Sequence, residues 1–114
     1  MSKIDVGRLD KRIIFLKMTE VKNDLKQTVK RPEEYKTLWA SVDPTNAKDQ
    51  KEAERSNDII EYTVYIRYRE DITGDMIINY SGKRLEILYP PINVKEQKVL
   101  LKILCKYKVG DLIV

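Results

Sequence analysis

The chain has 114 residues, and its 22 Lys and Arg against 18 Asp and Glu give a net charge of +4. This length fits one ordinary domain, so we expect residues 1–114 to form a single domain. One cysteine excludes an internal disulfide, and no apolar run approaches the roughly 20 residues that span a membrane.

The composition also excludes common catalytic and metal-binding arrangements. The chain contains no histidine, which removes the usual general acid or base at neutral pH and a frequent zinc ligand. Its four glycines are isolated, so no glycine-rich phosphate loop is present. The first residues show no signal-peptide pattern, and the single cysteine fits a reducing compartment. We therefore predict a protein that is not an enzyme, with no catalytic, cofactor-binding or metal-binding residues.

The first third of the chain predicts a strand followed by a hairpin. Lys11 to Met18 is rich in apolar residues, which is typical of a strand that is buried on both faces or reaches a subunit contact. Residues 19–33 are polar, with a turn signal at Asn23-Asp24. They indicate a mobile hairpin loop whose flanks can extend the neighbouring strands.

The second predicted strand, Tyr35 to Asp43, leads into a polar insertion. The strand ends at Pro44, because the residue before a proline is disfavoured in helical angles. Residues 45–58 are mostly good helix formers after a suitable N-cap at Asn46, but their only apolar side chains are two alanines. A short helix that is polar on every side has no core to pack against. The insertion is therefore either a flexible loop or a segment that a partner orders.

The most regular alternation lies in Ile59 to Arg69, which we predict to be the central strand. β-branched and aromatic residues recur there at every second position, a period that predicts one buried face. The residues expected on that buried face are Tyr62, Val64, Ile66 and Tyr68.

The remaining predicted strands follow in hairpin order. Met76 to Tyr80 and Arg84 to Tyr89 are joined at Ser81-Gly82-Lys83, whose glycine suits a tight turn. Pro90-Pro91 interrupts the pattern, and Val99 to Tyr107 is the last strand. Its expected buried face comprises Val99, Leu101, Ile103 and Cys105. The apolar tail after it predicts docking, on the body itself or on a neighbour.

Together these patterns predict a mainly β fold. We expect a small antiparallel β-barrel or sandwich of about six or seven strands, with one short helix or long polar loop inserted between strands.

Charge and aromatic residues leave the type of partner open. Residues 83–108 carry seven basic and two acidic side chains, which fits contact with a polyanion, contact with a complementary subunit, or a solvated lysine-rich face. Tyrosines on strands can stack on bases or pack internally. Because Tyr62 and Tyr68 share a face with Ile66, the pattern favours packing, and it places Tyr65 beside Arg67 on the opposite face.

Six short motifs occur in order over residues 7–107 and carry a family resemblance. They are Gly7-Arg8-Leu9-Asp10-Lys11-Arg12-Ile13, Trp39-Ala40-Ser41-Val42, Thr63-Val64-Tyr65-Ile66-Arg67-Tyr68-Arg69, Ile72-Thr73-Gly74-Asp75-Met76, Gly82-Lys83-Arg84-Leu85-Glu86-Ile87 and Leu101-Lys102-Ile103-Leu104-Cys105. With them the chain resembles the bacteriophage head–tail joining proteins, also called adaptor, connector or stopper proteins. Val109 to Val114 has no counterpart in this pattern.

The resemblance implies a structural virion protein, encoded by a phage or prophage and assembled in the cytoplasm of the bacterial host. It implies a β-barrel subunit in a homo-oligomeric ring, commonly a dodecamer, between the portal or adaptor protein and a tail-completion protein. Genomic DNA would pass through the ring without sequence-specific contacts, and no membrane is involved. In stopper members the loop after the Trp-Ala-Ser-Val strand, here Pro44 to Asp58, helps to close the channel.

That loop supplies the candidate site residues. Its charges are nearly balanced, which suits salt bridges between subunits better than a tight grip on phosphate. The candidate channel-loop and inter-subunit residues are Lys48, Asp49, Lys51, Glu52, Glu54 and Arg55. Two alternative functions remain open: a non-enzymatic nucleic-acid-binding β-barrel, motivated by the basic 83–108 region, and a tail-completion ring protein of similar fold.

Overall fold

The computed structural model describes residues 9–44 and 59–113, and in these residues the chain forms seven strands of one antiparallel sheet. The strands are β1 (Lys11–Lys22), β2 (Thr28–Pro44), β3 (Ile59–Arg67), β4 (Ile77–Tyr80), β5 (Lys83–Ile87), β6 (Ile92–Asn93) and β7 (Leu100–Lys108). A 3-10 turn at Val94–Glu96 precedes β7. The predicted mainly β, antiparallel fold is confirmed.

The sheet closes on itself. Its hydrogen-bonded order is β3-β2-β1-β4-β5-β7, and an additional β3–β7 pairing joins the two ends into a ring of six strands. The short β6 shares an edge of β7 with β5: Ile87 pairs with Cys105, and Ile92 pairs with Lys102. The Pro90-Pro91 corner separates β5 from β6, since proline cannot donate to a ladder. The closure is irregular: β1 pairs with β4 over three residues and β5 with β7 over two, so each of the six main strands has a neighbour on both sides over only part of its length.

The alternating residues of the strands fill the interior of the ring. As predicted, Tyr62, Val64 and Ile66 of β3 are buried, and Tyr68 packs partly against them. Eight side chains are under 2% exposed and form the centre of the core: Phe15, Ile13, Ile66, Ile78, Leu85, Ile103, Val64 and Cys105. Burying such side chains contributes about 1.5–3 kcal/mol each to folding, so this closed layer is the main source of stability.

The prediction that Val99 belongs to the buried face of the last strand is wrong. Its side chain is 50% exposed, because β7 begins one residue later at Leu100. The preceding turn is fixed locally, where Asn93 Oδ1 accepts a hydrogen bond from the Lys98 backbone N–H at 2.9 Å. Val99 therefore lies at the end of a turn, outside the alternation of the strand.

Residues 19–33 were predicted to form a hairpin loop whose flanks extend the neighbouring strands. The extension is confirmed, and only the tip of this segment is a loop. β1 and β2 stay paired from Lys17 opposite Glu33 to Lys22 opposite Thr28. The turn is held by Asn23 Oδ1, which accepts from the backbone N–H groups of Leu25 and Gln27 at 3.0 Å. We call the two-stranded extension Met18 to Pro32 the arm.

The strands place the remaining features at two ends of the body. At the arm end lie the arm, the loop from Tyr68 to Met76 and the turn before β7. At the other end, the insertion end, β2 stops and β3 starts, β4 turns into β5, and the tail docks. That docking is confirmed for the backbone: Lys83 bridges to Leu112, and the Ile113 N–H donates to the Gly82 carbonyl at 2.8 Å.

Candidate functional site

The strand register fixes where the polar insertion leaves the body. Pro44, the last residue of β2, is opposite Tyr62, and Ile59, the first residue of β3, is opposite Lys108 of β7. Fourteen residues, 45–58, thus connect two adjacent antiparallel strands, where two to five residues suffice for a hairpin. The six candidate site residues, Lys48, Asp49, Lys51, Glu52, Glu54 and Arg55, lie outside the described residues.

Tyrosines and a lysine pack where the insertion emerges. The rings of Tyr62 and Tyr80 meet edge to face with centroids 6.2 Å apart. Lys83 Nζ lies 6.0 Å from the ring centroid of Tyr62 and 5.4 Å from that of Tyr107. Tyr107 Oη accepts a hydrogen bond from the Gly110 N–H at 3.1 Å, which ties the tail to this cluster. Because Tyr62 is 3% exposed, it is a packing residue and not a stacking platform.

The rim of the insertion end is mixed in charge, with cations in excess. Lys106 Nζ lies 3.5 Å from Glu86 Oε2, and both side chains are about half exposed. Lys108, Arg84 and Asp111 line the same shallow cavity of about 110 Å³. A rim of this kind attracts polyanions weakly and in a salt-dependent way.

A charged network ties the arm end together. Arg69 of the loop after β3 donates from Nε and Nη2 to the two carboxylate oxygens of Asp71, at 2.8 and 2.9 Å. Tyr35 Oη of β2 donates to Asp71 Oδ2 at 2.6 Å. The guanidinium and the phenol hold the pKa of Asp71 well below its usual range, and the bond to Asp71 raises the pKa of Tyr35. Lys17 Nζ stands 4.0 Å from the Tyr35 ring centroid, so the root of the arm and the loop are joined at one point.

Sequence reasoning missed this network. Adjacent carboxylates at a turn, such as Glu70 and Asp71, are usually solvated, and that pattern does not distinguish Asp71. A usable signal was the arginine two residues earlier, Arg69, because both residues follow the end of a strand and can reach each other across a turn. Tyr35 could not be assigned, since the contact spans 36 positions in the chain.

No group of three or more potential metal ligands occurs within residues 9–44 and 59–113. Burial raises the pKa of the Cys105 thiol to about 12, so the thiolate is not available as a nucleophile at neutral pH. In the described parts of the chain, no helix is long and apolar enough to cross a membrane.

Comparison with known proteins gives a consistent picture. A family model described as phage head completion protein matches residues 4–108. The solution structure of protein SF1141 from Shigella flexneri 2a is similar, with 28% identity, a TM-score of 0.70, and coverage of 95% of this chain and 100% of that one. A chain from the virion of a native gene transfer agent particle shares the fold, with 11% identity, a TM-score of 0.67, and coverage of 88% and 94%. No curated protein sequence matches the chain.

Proposed function

Since the chain belongs to the phage head completion protein family, we propose that it is a ring-forming structural protein of the head–tail junction that closes or extends the DNA channel. The coarser part follows from the family: it is a structural protein of a phage-type virion. The ring, its position next to the portal or adaptor and tail-completion proteins, and the passage of DNA are the proposal.

The proposal rests on the polar insertion, residues 45–58, and on a β body whose described core is formed by other residues. The six-strand ring closes through the pairing of β3 with β7, and its core is built from described residues on either side of residues 45–58. The insertion offers only two alanines as apolar surface. A segment this polar contributes little to folding by burial. Its length is explained if it acts on something outside the subunit.

The surroundings of the insertion support a channel. Lys83, Lys106 and Lys108 lie at the end of the body from which the insertion leaves, against Glu86 and Asp111. DNA that must move through a ring needs weak, sequence-independent contacts, because many tight phosphate contacts would hold it in place. We assign the channel-facing and inter-subunit role to Lys48, Asp49, Lys51, Glu52, Glu54 and Arg55.

A deletion of Ala47 to Asn57 tests the proposal. The purified variant should melt within about 2 °C of the wild type, because little apolar surface is removed. Particles assembled with it should contain the protein but lose packaged DNA, measured as DNase-sensitive DNA per head. A matched variant keeps the length but replaces residues 47–57 by Gly and Ser. It distinguishes an effect of the length of the segment from an effect of its charged side chains.

The outcomes distinguish the roles. Full DNA retention with the deletion variant would contradict channel closure. Absence of the wild-type protein from purified particles would contradict the virion assignment as a whole. Tight binding of the isolated subunit to DNA that falls steeply with salt would favour the alternative of a nucleic-acid-binding barrel.

A further inference from the structure

The arm leaves the body at an interruption in the pairing of β1 with β2. Phe15 of β1 is opposite Lys36 of β2. The next pair along the ladder is Leu16 with Glu34, so Tyr35 has no position in the register. An extra residue on one strand is a β-bulge, which bends that strand and increases its local twist. The arm therefore begins at a bend.

The two strands of the arm lose their other neighbours close to this bend. Toward the arm, the pairing of β1 with β4 ends at Leu16, and that of β2 with β3 ends at Ala40. From there to the turn, the described strands β1 and β2 pair with each other alone, as far as Lys22 opposite Thr28. A two-stranded ribbon twists more strongly than a wide sheet and is only marginally stable by itself. Strand continuity thus defines the direction of the arm weakly.

Three side chains connect the bulge to the body. Tyr35 Oη donates to Asp71 Oδ2 at 2.6 Å. Arg69 donates to both carboxylate oxygens of Asp71, at 2.8 and 2.9 Å. We call Tyr35, Arg69 and Asp71 the Asp71 clamp. Hydrogen bonds to a carboxylate are shorter and stronger than those between neutral groups, so the clamp can hold the bulge against the loop after β3.

The loop that carries Asp71 is itself fixed to the body. Ile72, the next residue, is 5% exposed and belongs to the core, as does Met76 at the end of the loop. At the start of the loop, the Tyr68 N–H donates to the Val99 carbonyl at 2.9 Å. The clamp therefore joins a hydroxyl at a bend to a carboxylate on a packed loop, a geometry that sets the angle between the arm and the body.

A small rotation at the bulge becomes a large displacement at the tip of the arm. From Lys17 to the turn at Asn23 the strand has a length of about 20 Å, at roughly 3.3 Å per residue. At that length, a rotation of about 10° moves the tip by about 3.5 Å. Leu25 at the tip is 77% exposed. Any contact made there depends on the direction of the arm, and fixing that direction beforehand reduces the entropy lost on association.

We propose that the Asp71 clamp is a conformational device that holds the arm at one angle to the body, so that the subunit presents the tip of the arm in a single position. Tyr35 and Asp71 act as positioning residues at the root of the arm. When the clamp is broken, the ribbon keeps its own pairing, because its turn is closed by hydrogen bonds to Asn23 Oδ1. What changes is the direction of the ribbon. The device acts in the isolated subunit and does not depend on a ring.

The distance between two nitroxide spin labels, measured by double electron–electron resonance, tests the proposal on the purified subunit. Leu25→Cys places one label at the tip of the arm. Lys108→Cys places the other on an exposed residue at the insertion end of β7. Cys105 is buried and should stay unlabelled, which the wild-type chain verifies. The doubly labelled reference protein should give a distance distribution with one narrow maximum.

Breaking the clamp should broaden this distribution. Asp71→Ala removes all three hydrogen bonds and should increase the width about twofold or more, because only the ribbon itself then sets the direction of the arm. Tyr35→Phe keeps the ring but removes the hydroxyl, and should broaden the distribution less. The matched control, Glu70→Ala, removes the adjacent exposed carboxylate and should leave the distribution unchanged. Thermal melting verifies that each variant folds.

Hydrogen exchange distinguishes a change in the direction of the arm from loss of its structure. In Asp71→Ala the backbone amides of Val21 and Val29 should remain as protected as in the reference protein. An unchanged distance distribution in Asp71→Ala, or equal broadening by Glu70→Ala, overturns the proposal. Loss of amide protection in the arm also overturns it, because the arm then unfolds instead of changing direction. If Asp71→Ala does not fold, Tyr35→Phe decides, and an unchanged distribution in that variant overturns the proposal.

Discussion

Replacing Asp71 by Asn should weaken the arm end and change how the stability of the protein depends on pH. Asn keeps the shape of the side chain but loses the charge that accepts three hydrogen bonds, two from Arg69 and one from Tyr35. Hydrogen bonds to a charged group contribute about 1.5–3 kcal/mol where they are shielded from water. The Arg69 and Asp71 side chains are 30% and 32% exposed, so solvent screening reduces this. We expect a loss of about 1–2 kcal/mol, or about 4–8 °C in melting temperature.

The sign of the pH effect follows from the depressed pKa of Asp71 in the folded protein. The pKa of an aspartate in an unfolded chain is about 3.9. The stabilisation is therefore fully present above that pH and is lost as the pH falls through the lower, folded pKa. Urea unfolding of the wild type and Asp71→Asn should differ by a constant amount from pH 5 to 8 and converge below about pH 4.

A matched control sharpens the test. Glu70→Gln removes a neighbouring exposed carboxylate that makes no hydrogen bond with another described residue, and it should change the unfolding free energy by less than about 0.5 kcal/mol. Equal unfolding free energies for Asp71→Asn and Glu70→Gln would show that the Asp71 hydrogen bonds do not stabilise the fold, and so would a difference between wild type and Asp71→Asn that does not shrink in acid.

Three further predictions concern the body. Ile66→Asp should prevent folding, seen as loss of the β signal in circular dichroism, because Ile66 is fully buried and the charge would have no partner; a cooperative native-like melt would contradict the core assignment. Cys105 should resist a thiol reagent at pH 8 until the protein unfolds, because burial raises its pKa to about 12; fast labelling of the native protein would show that the core is open. Gly82→Ala should destabilise by about 1 kcal/mol in chemical unfolding, since Gly82 has φ +89°, whereas a neutral effect would mean that the turn rearranges freely.

Local patterns were sufficient to predict most of the strands. The alternation in β3 identified Tyr62, Val64 and Ile66 as core, and all three are buried. Glycine in the turn after Tyr80 identified the β4–β5 hairpin, which the structure contains. These predictions succeed because period two and turn chemistry are encoded in neighbouring residues.

The arm was under-predicted because its stability does not come from apolar burial. Its strands pair Thr19 with Arg31 and Val21 with Val29, and Thr19 Oγ1 donates to the Arg31 carbonyl at 3.2 Å. β-branched residues and a well-bonded turn extend a ladder that the core has already nucleated. A search for hydrophobic periodicity does not detect such a ribbon.

The closure of the sheet and the site geometry depend on contacts that sequence spacing does not specify. The β3–β7 pairing brings Ile60 opposite Tyr107, and the Asp71 network joins two distant segments. The outward face of Trp39 was predictable from alternation, whereas the neighbours that other strands bring to it depend on the order of strands around the ring.

The structure of the head–tail vertex in a particle that contains this chain tests the proposed ring most directly. We expect a ring of identical copies between head and tail, each with the closed β body unchanged and residues 45–58 directed toward the channel axis. Finding the chain away from the vertex, as isolated copies, or with residues 45–58 directed outward from the ring would contradict it.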